Sequence, residues 1–472
     1  TNTVDDHAHL LADCGARAAI VSNAGFAAKL RAAAAGTGGL DLLVVMDPIP
    51  ERDAGITAWD SLANDHRPPD DIVAEAALIP PTAMACLIYT SGTGGVPRGV
   101  MLPHRCMLSN CAGAIKLVAP LNLKDEIYLS FLPLAHAYEH TVGQFFLLSI
   151  GSEIVYARGI EHLATDLQTI RPTIMTAVPR VLEVFRARVL TQVAREKPWR
   201  QRLFQQALRI GEKRVDGESL GLLEWLLDPL LDRLVRAKVR ARFGGRLVAA
   251  MSGGARLEPA VGRFFLALGM KIMQGYGQTE AGPVITANRP DAIRIDTVGT
   301  PLDGVDLRIA EDGEILVRGD LVMDGYWNHP RETAAVIVDG WLHTGDIGEL
   351  DRGYLRITDR KKDLIVLSGG DNVSPAKVEG MLMAEPEIAQ AVIAGDGRAG
   401  ITALVVPADG FDDVAIAVAV NRANKRLSVT ERIRKHALVA PFTIENGLLT
   451  PSHKIRRMLV LRANAHLLEG LH

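Results

Sequence analysis

Cysteine is scarce in this sequence. Cys14, Cys86, Cys106 and Cys111 form no CxxC pair and are too few for a disulfide framework, which points to a reducing, cytoplasmic compartment. No apolar run is long enough to span a bilayer. The nearest, 131–150, is interrupted by His136, Glu139, His140 and Gln144. Charge of one sign is lacking too: a net −3 gives no global reason to expect nucleic acid as a partner. Internal repeats are absent. So is a basic-then-apolar signal peptide, and so is the GxxxxGK[ST] nucleotide loop.

What the sequence does have is length and a hydrophobic share of 48%, so two or more globular domains are expected in 472 residues. Apolar runs at 18–21 and 42–46 read as short buried strands, and 4–11 as an amphipathic helix. A chain that starts at Thr1 inside such a pattern leads us to expect that a natural N-terminal portion is missing from it. Short apolar strands then alternate with amphipathic helices, which predicts mainly parallel sheets. The clearest unit is a strand at 247–251, a tight loop at 252–255, a helix at 259–268 begun by Pro259, and a strand at 271–274. Loops after such strands, including Gly275-Tyr276-Gly277-Gln278-Thr279-Glu280, fall where open α/β sheets bind ligands. From about 297 the texture changes to short β segments (307–309, 313–317, 349–350, 354–357), predicting a β-rich subdomain. A third region follows the charged run at 359–363. It has a strand at 365–367, a helix capped by Ser374, and strands at 391–394 and 402–406.

Segment 186–246 is helical and strongly basic, with leucines and Trp225 interleaved among the arginines and lysines. Such a segment is either a helical hairpin with solvated arginines or a candidate for peripheral contact with an anionic membrane.

The most informative stretch follows a strand-like run at 83–88. It reads Tyr89-Thr90-Ser91-Gly92-Thr93-Gly94-Gly95-Val96-Pro97-Arg98-Gly99. Glycines let backbone N–H groups converge on an anion, and the hydroxyls and Arg98 add donors, a combination suited to polyphosphate. By itself this is also the composition of a flexible loop. Four further elements decide between the two: the YGQTE segment at 276–280, Leu342-His343-Thr344-Gly345-Asp346, the DRKKD run at 359–363, and Leu448-Leu449-Thr450-Pro451-Ser452-His453-Lys454-Ile455-Arg456-Arg457.

In order and spacing, from about 87 to 457, these five elements resemble the adenylate-forming superfamily of acyl-CoA synthetases, luciferases and adenylation domains. The form of 359–375 and of 445–457, with the helical insertion at 186–246, is most similar to the long-chain fatty acyl-CoA ligases. The resemblance implies an N-terminal adenylation domain over 1–359, a hinge at 360–362 and a mobile α+β domain over 363–472. It also implies ATP, Mg²⁺ and coenzyme A as reactants and metal, with a fatty acid as the acid substrate. A carboxylate attacks the ATP α-phosphate to give acyl-AMP and pyrophosphate; a thiol then displaces AMP.

On the same resemblance, Thr90, Ser91, Gly92, Thr93, Gly94, Gly95 and Arg98 hold the β- and γ-phosphates. Glu280 holds Mg²⁺ and Thr279 bonds the α-phosphate. Tyr276 stacks on adenine beside Gly253, Gly254 and Ala255, with Gly275, Gly277 and Gln278 completing the nucleotide site. Asp346 takes the ribose hydroxyls, assisted by Arg360. Lys454 bridges carboxylate and α-phosphate in the first step. Lys362 matches the hinge, and Ser368, Gly369 and Gly370 the loop that enters for the thiol step. His136 matches a position lining the acyl site. His136 and His140 lie four apart, but no third ligand accompanies them and we read no metal site there.

Two departures stand out: Arg98 occupies a position where lysine is usual, and 396–400 and 410–420 look short. Rival readings are an acyl-AMP ligase that loads a carrier protein, and a silent adenylate-binding scaffold. The first is expected to carry an insertion restraining the domain rotation, and we see none. The second has no reason to retain Glu280, Asp346, Arg360 and Lys454 together.

Overall fold

The computed structural model describes residues 3–48, 55–65, 71–91, 97–449 and 455–471. The expected positions Gly92, Thr93, Gly94, Gly95 and Lys454 lie outside them.

At the centre is a seven-stranded sheet. Lys271–Gly277, Ala249–Ser252, Ile174–Ala177, Ile127–Ser130 and Glu153–Tyr156 run parallel, and Val284–Ala287 and Thr300–Pro301 extend one edge antiparallel. The central strands are apolar because helices cover both faces; all four residues of Ile174–Ala177 are buried. Successive side chains point to opposite faces. Leu129, Met175, Ala250 and Ile272 therefore join one core with Leu182, Phe264 and Phe265 of the helices Pro179–Ala194 and Pro259–Ala267. Their neighbours Tyr128 and Ile174 face the other way, toward Cys111, Phe146 and Leu147 of the helical layer built by His104–Val118 and the segments between 137 and 149.

That second face contains a buried polar cluster. Glu139 is fully buried and accepts hydrogen bonds from Tyr128 (2.8 Å), Ser130 (2.6 Å) and Thr176 (2.9 Å). Burial pushes its carboxyl above the usual range, and the three hydroxyls oppose that shift. The carboxylate fits only because residue 143 has no side chain: a Cβ there would sit 2.5 Å from the Glu139 carboxyl carbon.

Among the described residues, three smaller sheets complete the N-terminal part. A parallel sheet of Ala18–Val21, Leu42–Val45 and Thr57–Ala58 has its own core. Met84–Ser91 and Pro97–Pro103 form an antiparallel hairpin, extended by Gly325–Tyr326. The predicted β-rich subdomain is a five-stranded antiparallel sheet. Its segments are longer than the sequence pattern suggested: 349–350 belongs to Trp341–Asp351, and 354–357 to Tyr354–Arg360. Asp359 and Arg360 are thus strand residues, and only the rest of the charged run is a turn.

After 363 come a hairpin (Ile365–Val366 with Asn372–Val373), the helix Pro375–Met383 capped by the Ser374 hydroxyl, and a three-stranded mixed sheet. Together they enclose a separate core that includes Val378, Leu382, Ile393 and Val405. Glu379 is buried there against Arg457 at 2.6 Å, which ties the helix to the chain's last segment.

Gly143→Ala is expected to displace the Glu139 carboxylate from its three donors. It should destabilise the N-terminal part by about 2–4 kcal/mol, measured by urea unfolding; an unchanged midpoint would refute the packing argument.

Candidate active site

Lys271–Gly277 runs from the sheet interior directly into the site, and the expected loop is therefore half strand. Gly275, Tyr276 and Gly277 pair with Val284–Ala287, and a bulge falls between Tyr276 and Gly277. Residue 277 must be glycine, since a Cβ would approach the Pro283 carbonyl oxygen to 1.8 Å. The bulge turns the chain into a short 3₁₀ segment, Thr279–Ala281, which presents Thr279 and Glu280 at the carboxyl end of the sheet.

Tyr276 is buried and its hydroxyl donates to Asp346 Oδ2 at 2.6 Å. The other carboxylate oxygen accepts from Arg360 Nε at 3.2 Å. Asp346 and Arg360 are cross-strand partners in register, so the β-rich sheet delivers both to the tyrosine. Burial, then the adjacent Asp346 charge, hold the Tyr276 hydroxyl well above its ordinary value.

A second relay starts at the glycine hairpin. Thr90 and Arg98 are paired across it. The Arg98 guanidinium lies over the Tyr326 ring, 4.6 Å from its centroid. The Tyr326 hydroxyl donates to Glu280 Oε1 at 2.9 Å. Arg98, Tyr326 and Glu280 thus form one contact chain from the phosphate-type loop to the carboxylate expected to take a cation. Sequence reading missed Tyr326. No spacing links it to Glu280, and only the pairing of Gly325–Tyr326 with Val100 and Met101 brings it there.

Between the sheet and the helical layer runs a cleft with about 1000 Å³ of non-protein space, open solvent at its mouth included. One end is bounded by His136, Gly253, Gly254 and the segment 275–279; the other by Leu117, Val118, Leu121, Val142, Phe146 and Ile174. The sheet contributes 174–176, 249, 251 and 252, 273 and 275–277 to this lining, from three neighbouring strands. The described lining has no Asp, Glu, Lys or Arg. His136 stands exposed at the start of Ala137–His140, where its Nδ1 accepts from the Tyr138 N–H at 3.3 Å. Ala255 follows in the loop but does not line the cleft.

The expected hinge has an asymmetry that the sequence does not reveal. Lys361 is fastened to the N-terminal part: Nζ contacts Asp312 at 2.7 Å and Glu314 at 2.9 Å, and its N–H donates to the Gly345 carbonyl. The next ammonium, Lys362, is held below its ordinary value by partial burial and then by the Arg360 charge. Ser368, Gly369 and Gly370 form the exposed turn of the 365–373 hairpin, where the Ser368 N–H donates to the Arg398 carbonyl. In this arrangement they are not among the cleft residues.

Residues 1–327 match the family model described as AMP-binding enzyme, and residues 362–471 match the AMP-binding enzyme C-terminal domain. This chain belongs to the AMP-binding enzyme family. Among similar proteins, the long-chain-fatty-acid–CoA ligase FadD15 of Mycobacterium bovis is 34% identical over 435 residues, covering 86% of this chain and 72% of that protein. The mouse long-chain-fatty-acid–CoA ligase 5 is 32% identical over 421 residues, covering 80% and 60%. The crystal structure of ATP-bound MatB from Rhodopseudomonas palustris superposes with a TM-score of 0.71 at 22% identity, covering 98% of this chain and 82% of the other. That likeness shows the adenylate-forming fold: a large mixed α/β N-terminal domain followed by a smaller one.

Glu314, which fastens Lys361, provides a test of that anchor. Burial raises its carboxyl, but Lys361, His343 and the Gly345 N–H outweigh burial and hold it below its ordinary 4.5. A depressed carboxyl stabilises the fold above the unfolded-state value and loses that contribution as pH falls through the folded one. Glu314→Gln should therefore cost about 1–3 kcal/mol at pH 7 and flatten the acid decline below roughly pH 4.5, read from urea midpoints across pH. Parallel profiles for both proteins would count against the anchor.

Proposed function

We propose that this enzyme is an ATP-dependent fatty acyl-CoA synthetase acting on medium- to long-chain acids. One observation carries the acid: a single cleft is lined both by the nucleotide-type elements and by a mostly aliphatic wall, with Phe146, Tyr128 and Tyr138, that has no charged side chain. The names of the relatives, long-chain-fatty-acid–CoA ligases, agree with it.

In the first step a fatty carboxylate attacks the α-phosphate of ATP and pyrophosphate leaves. Two anions must meet, so the protein's main task is to neutralise charge where they do. Thr90 to Gly95 and Arg98 would hold the β- and γ-phosphates, Thr279 the α-phosphate, and Lys454 both reacting groups. Tyr276, Gly253, Gly254 and Ala255 would flank adenine. Asp346, already aimed by Tyr276 and Arg360, offers an oxygen pair that matches the ribose diol. His136 stands at the junction where carboxylate and phosphate would meet.

Mg²⁺ takes one or two carboxylates together with phosphates and waters, and the single half-buried Glu280 carboxylate fits that demand. When bound, the ion would neutralise phosphate charge.

In the second step the coenzyme A thiol attacks the acyl carbonyl and AMP leaves. We place a hinge at 360–362, between residues 1–359 and 363–472. Support for it is the fastening of Lys361 to Asp312 and Glu314, directly before Lys362. Rotation there would withdraw Lys454 and bring in Ser368, Gly369 and Gly370. Segment 186–246 would hold the enzyme against a membrane, the phase in which long acyl chains accumulate.

With a graded acid series, kcat/KM should rise about fourfold per buried methylene until the cleft is filled, from about 0.8 kcal/mol each. A flat series, or a preference for aromatic acids, would remove the fatty-acid assignment. Lys454→Ala should lower acid-dependent pyrophosphate release at least 100-fold, on the order of 3 kcal/mol, while thioester formation from supplied acyl-AMP persists. Equal loss in both assays contradicts the two-step division. Tyr326→Phe keeps the ring under Arg98 but frees Glu280. It should raise the Mg²⁺ concentration for half-maximal activity several-fold with little change in melting temperature; an unaltered Mg²⁺ curve would exclude the relay from cation binding.

A further inference from the structure

The helix Leu222–Leu231 is built inside out. Leu222, Leu223, Trp225, Leu226, Leu227 and Leu230 are between 42% and 76% exposed. Leu234, one turn on, continues the same face at 42%. A stripe of that size on one helix is ordinarily its buried side. Here Glu224 and Asp228 take the inner side beside Leu231, with Asp232 half-exposed at their margin. Glu224 meets Lys213 at 2.9 Å, Asp228 meets Arg214 at 2.5 Å and Arg236 at 2.7 Å, and Asp232 meets Arg240 at 2.7 Å. Acids at 224, 228 and 232 recur every four residues, so they form one edge, and basic residues of Pro198–Val215 and of 236–240 neutralise it. The helix is attached to the body by Leu231, packed against Ala207 and Ile210, and by the pairs of Glu224 and Asp228 with Lys213 and Arg214, and most of its apolar surface is left outward.

We propose that this outward face docks on an anionic lipid surface, with its leucines and Trp225 in the interface and its cations on the headgroups. Charge identifies the occupant. Segment 186–246 contains 15 basic and 7 acidic residues in a chain whose net charge is −3, and three of those acids are already paired with bases of the same segment. Arg233 emerges among the outward leucines and Lys238 follows it. Both are exposed, and among the described residues neither pairs with a carboxylate. A two-fold contact with a second copy would desolvate both Arg233 side chains in one apolar patch without a counter-charge. A bilayer rich in acidic lipid supplies that counter-charge and the hydrocarbon together. No helix among the described residues is long and apolar enough to cross a membrane, so this contact lies along the surface. The proposal takes its setting from the membrane reading above but uses none of the residues assigned to the chemistry.

The test is sedimentation of the full chain with vesicles of phosphatidylcholine alone, or of phosphatidylcholine and phosphatidylglycerol in equal parts. Binding should be at least tenfold tighter to the anionic vesicles and fall as salt rises. The double variant L226E/L230E should lose at least tenfold of that binding with its melting temperature preserved, because both side chains already face outward. R233E/K238E should lose roughly fivefold per charge on anionic vesicles only. Failure of the wild type to bind, or unchanged binding by L226E/L230E, overturns the proposal. So does a concentration-dependent dimer, seen by light scattering, that L226E/L230E dissolves, since the face then belongs to a second copy. Activation of fatty acid in detergent, run beside these assays, separates the two readings: vesicle binding without activation removes the substrate assignment and leaves the docking face standing.

Discussion

The Asp346 carboxylate is where three parts of the molecule are forced to agree. One oxygen is held by Tyr276, which arrives on an inner strand of the seven-stranded sheet; the other by Arg360, the last residue of the strand leading to the proposed hinge. A carboxylate this deeply placed is costly unless both oxygens are answered. The β-rich sheet must therefore sit where its long strand meets the tyrosine. Lys361 cannot drift either, because Glu314 on the same sheet holds its ammonium. The position of the turn into the C-terminal region follows from these pairings.

The cleft obeys a different constraint. Strand periodicity hands alternate side chains to each face, so a wall of small and apolar residues on one side is matched by a packed core on the other. Small residues such as Gly275, Ala249 and Thr176 on the cleft side leave the space that the cleft occupies. The buried Glu139 fixes that layer from below by gathering hydroxyls of two adjacent strands. An apolar groove and a polar lock thus share the same two strands.

Much of this was legible in the residues. Apolar runs at 42–46 and 247–251 located strands to within a few positions because buried strands of a parallel sheet have little polar interruption; the run at 18–21 also marked a strand, but only Val21 of it is buried, because it lies at the edge of a small sheet. Ser374 and Pro375 marked a helix start through local capping chemistry, which needs no tertiary information. The errors have physical causes as well. Gly275-Tyr276-Gly277 looks like a loop because glycine weakens strands, yet pairing with Val284–Ala287 overrides that preference. Tyr326 was invisible because its role depends on an edge strand that joins distant segments. The leucines of 222–230 gave no sign of facing outward, since their orientation is set by Leu231 and by ion pairs against another helix. The assignments at Gly92 to Gly95 and at Lys454 rest on motif alone.

The described cleft lining is drawn wholly from between Ala114 and Leu302, all of it before the expected hinge. On the proposed function, recognition of the acid and the rotation between the two steps are therefore written in separable stretches of polypeptide. Drift in one leaves the other intact. Such a chain can acquire a new appetite for acids by altering a few wall residues, while inheriting its turnover machinery whole.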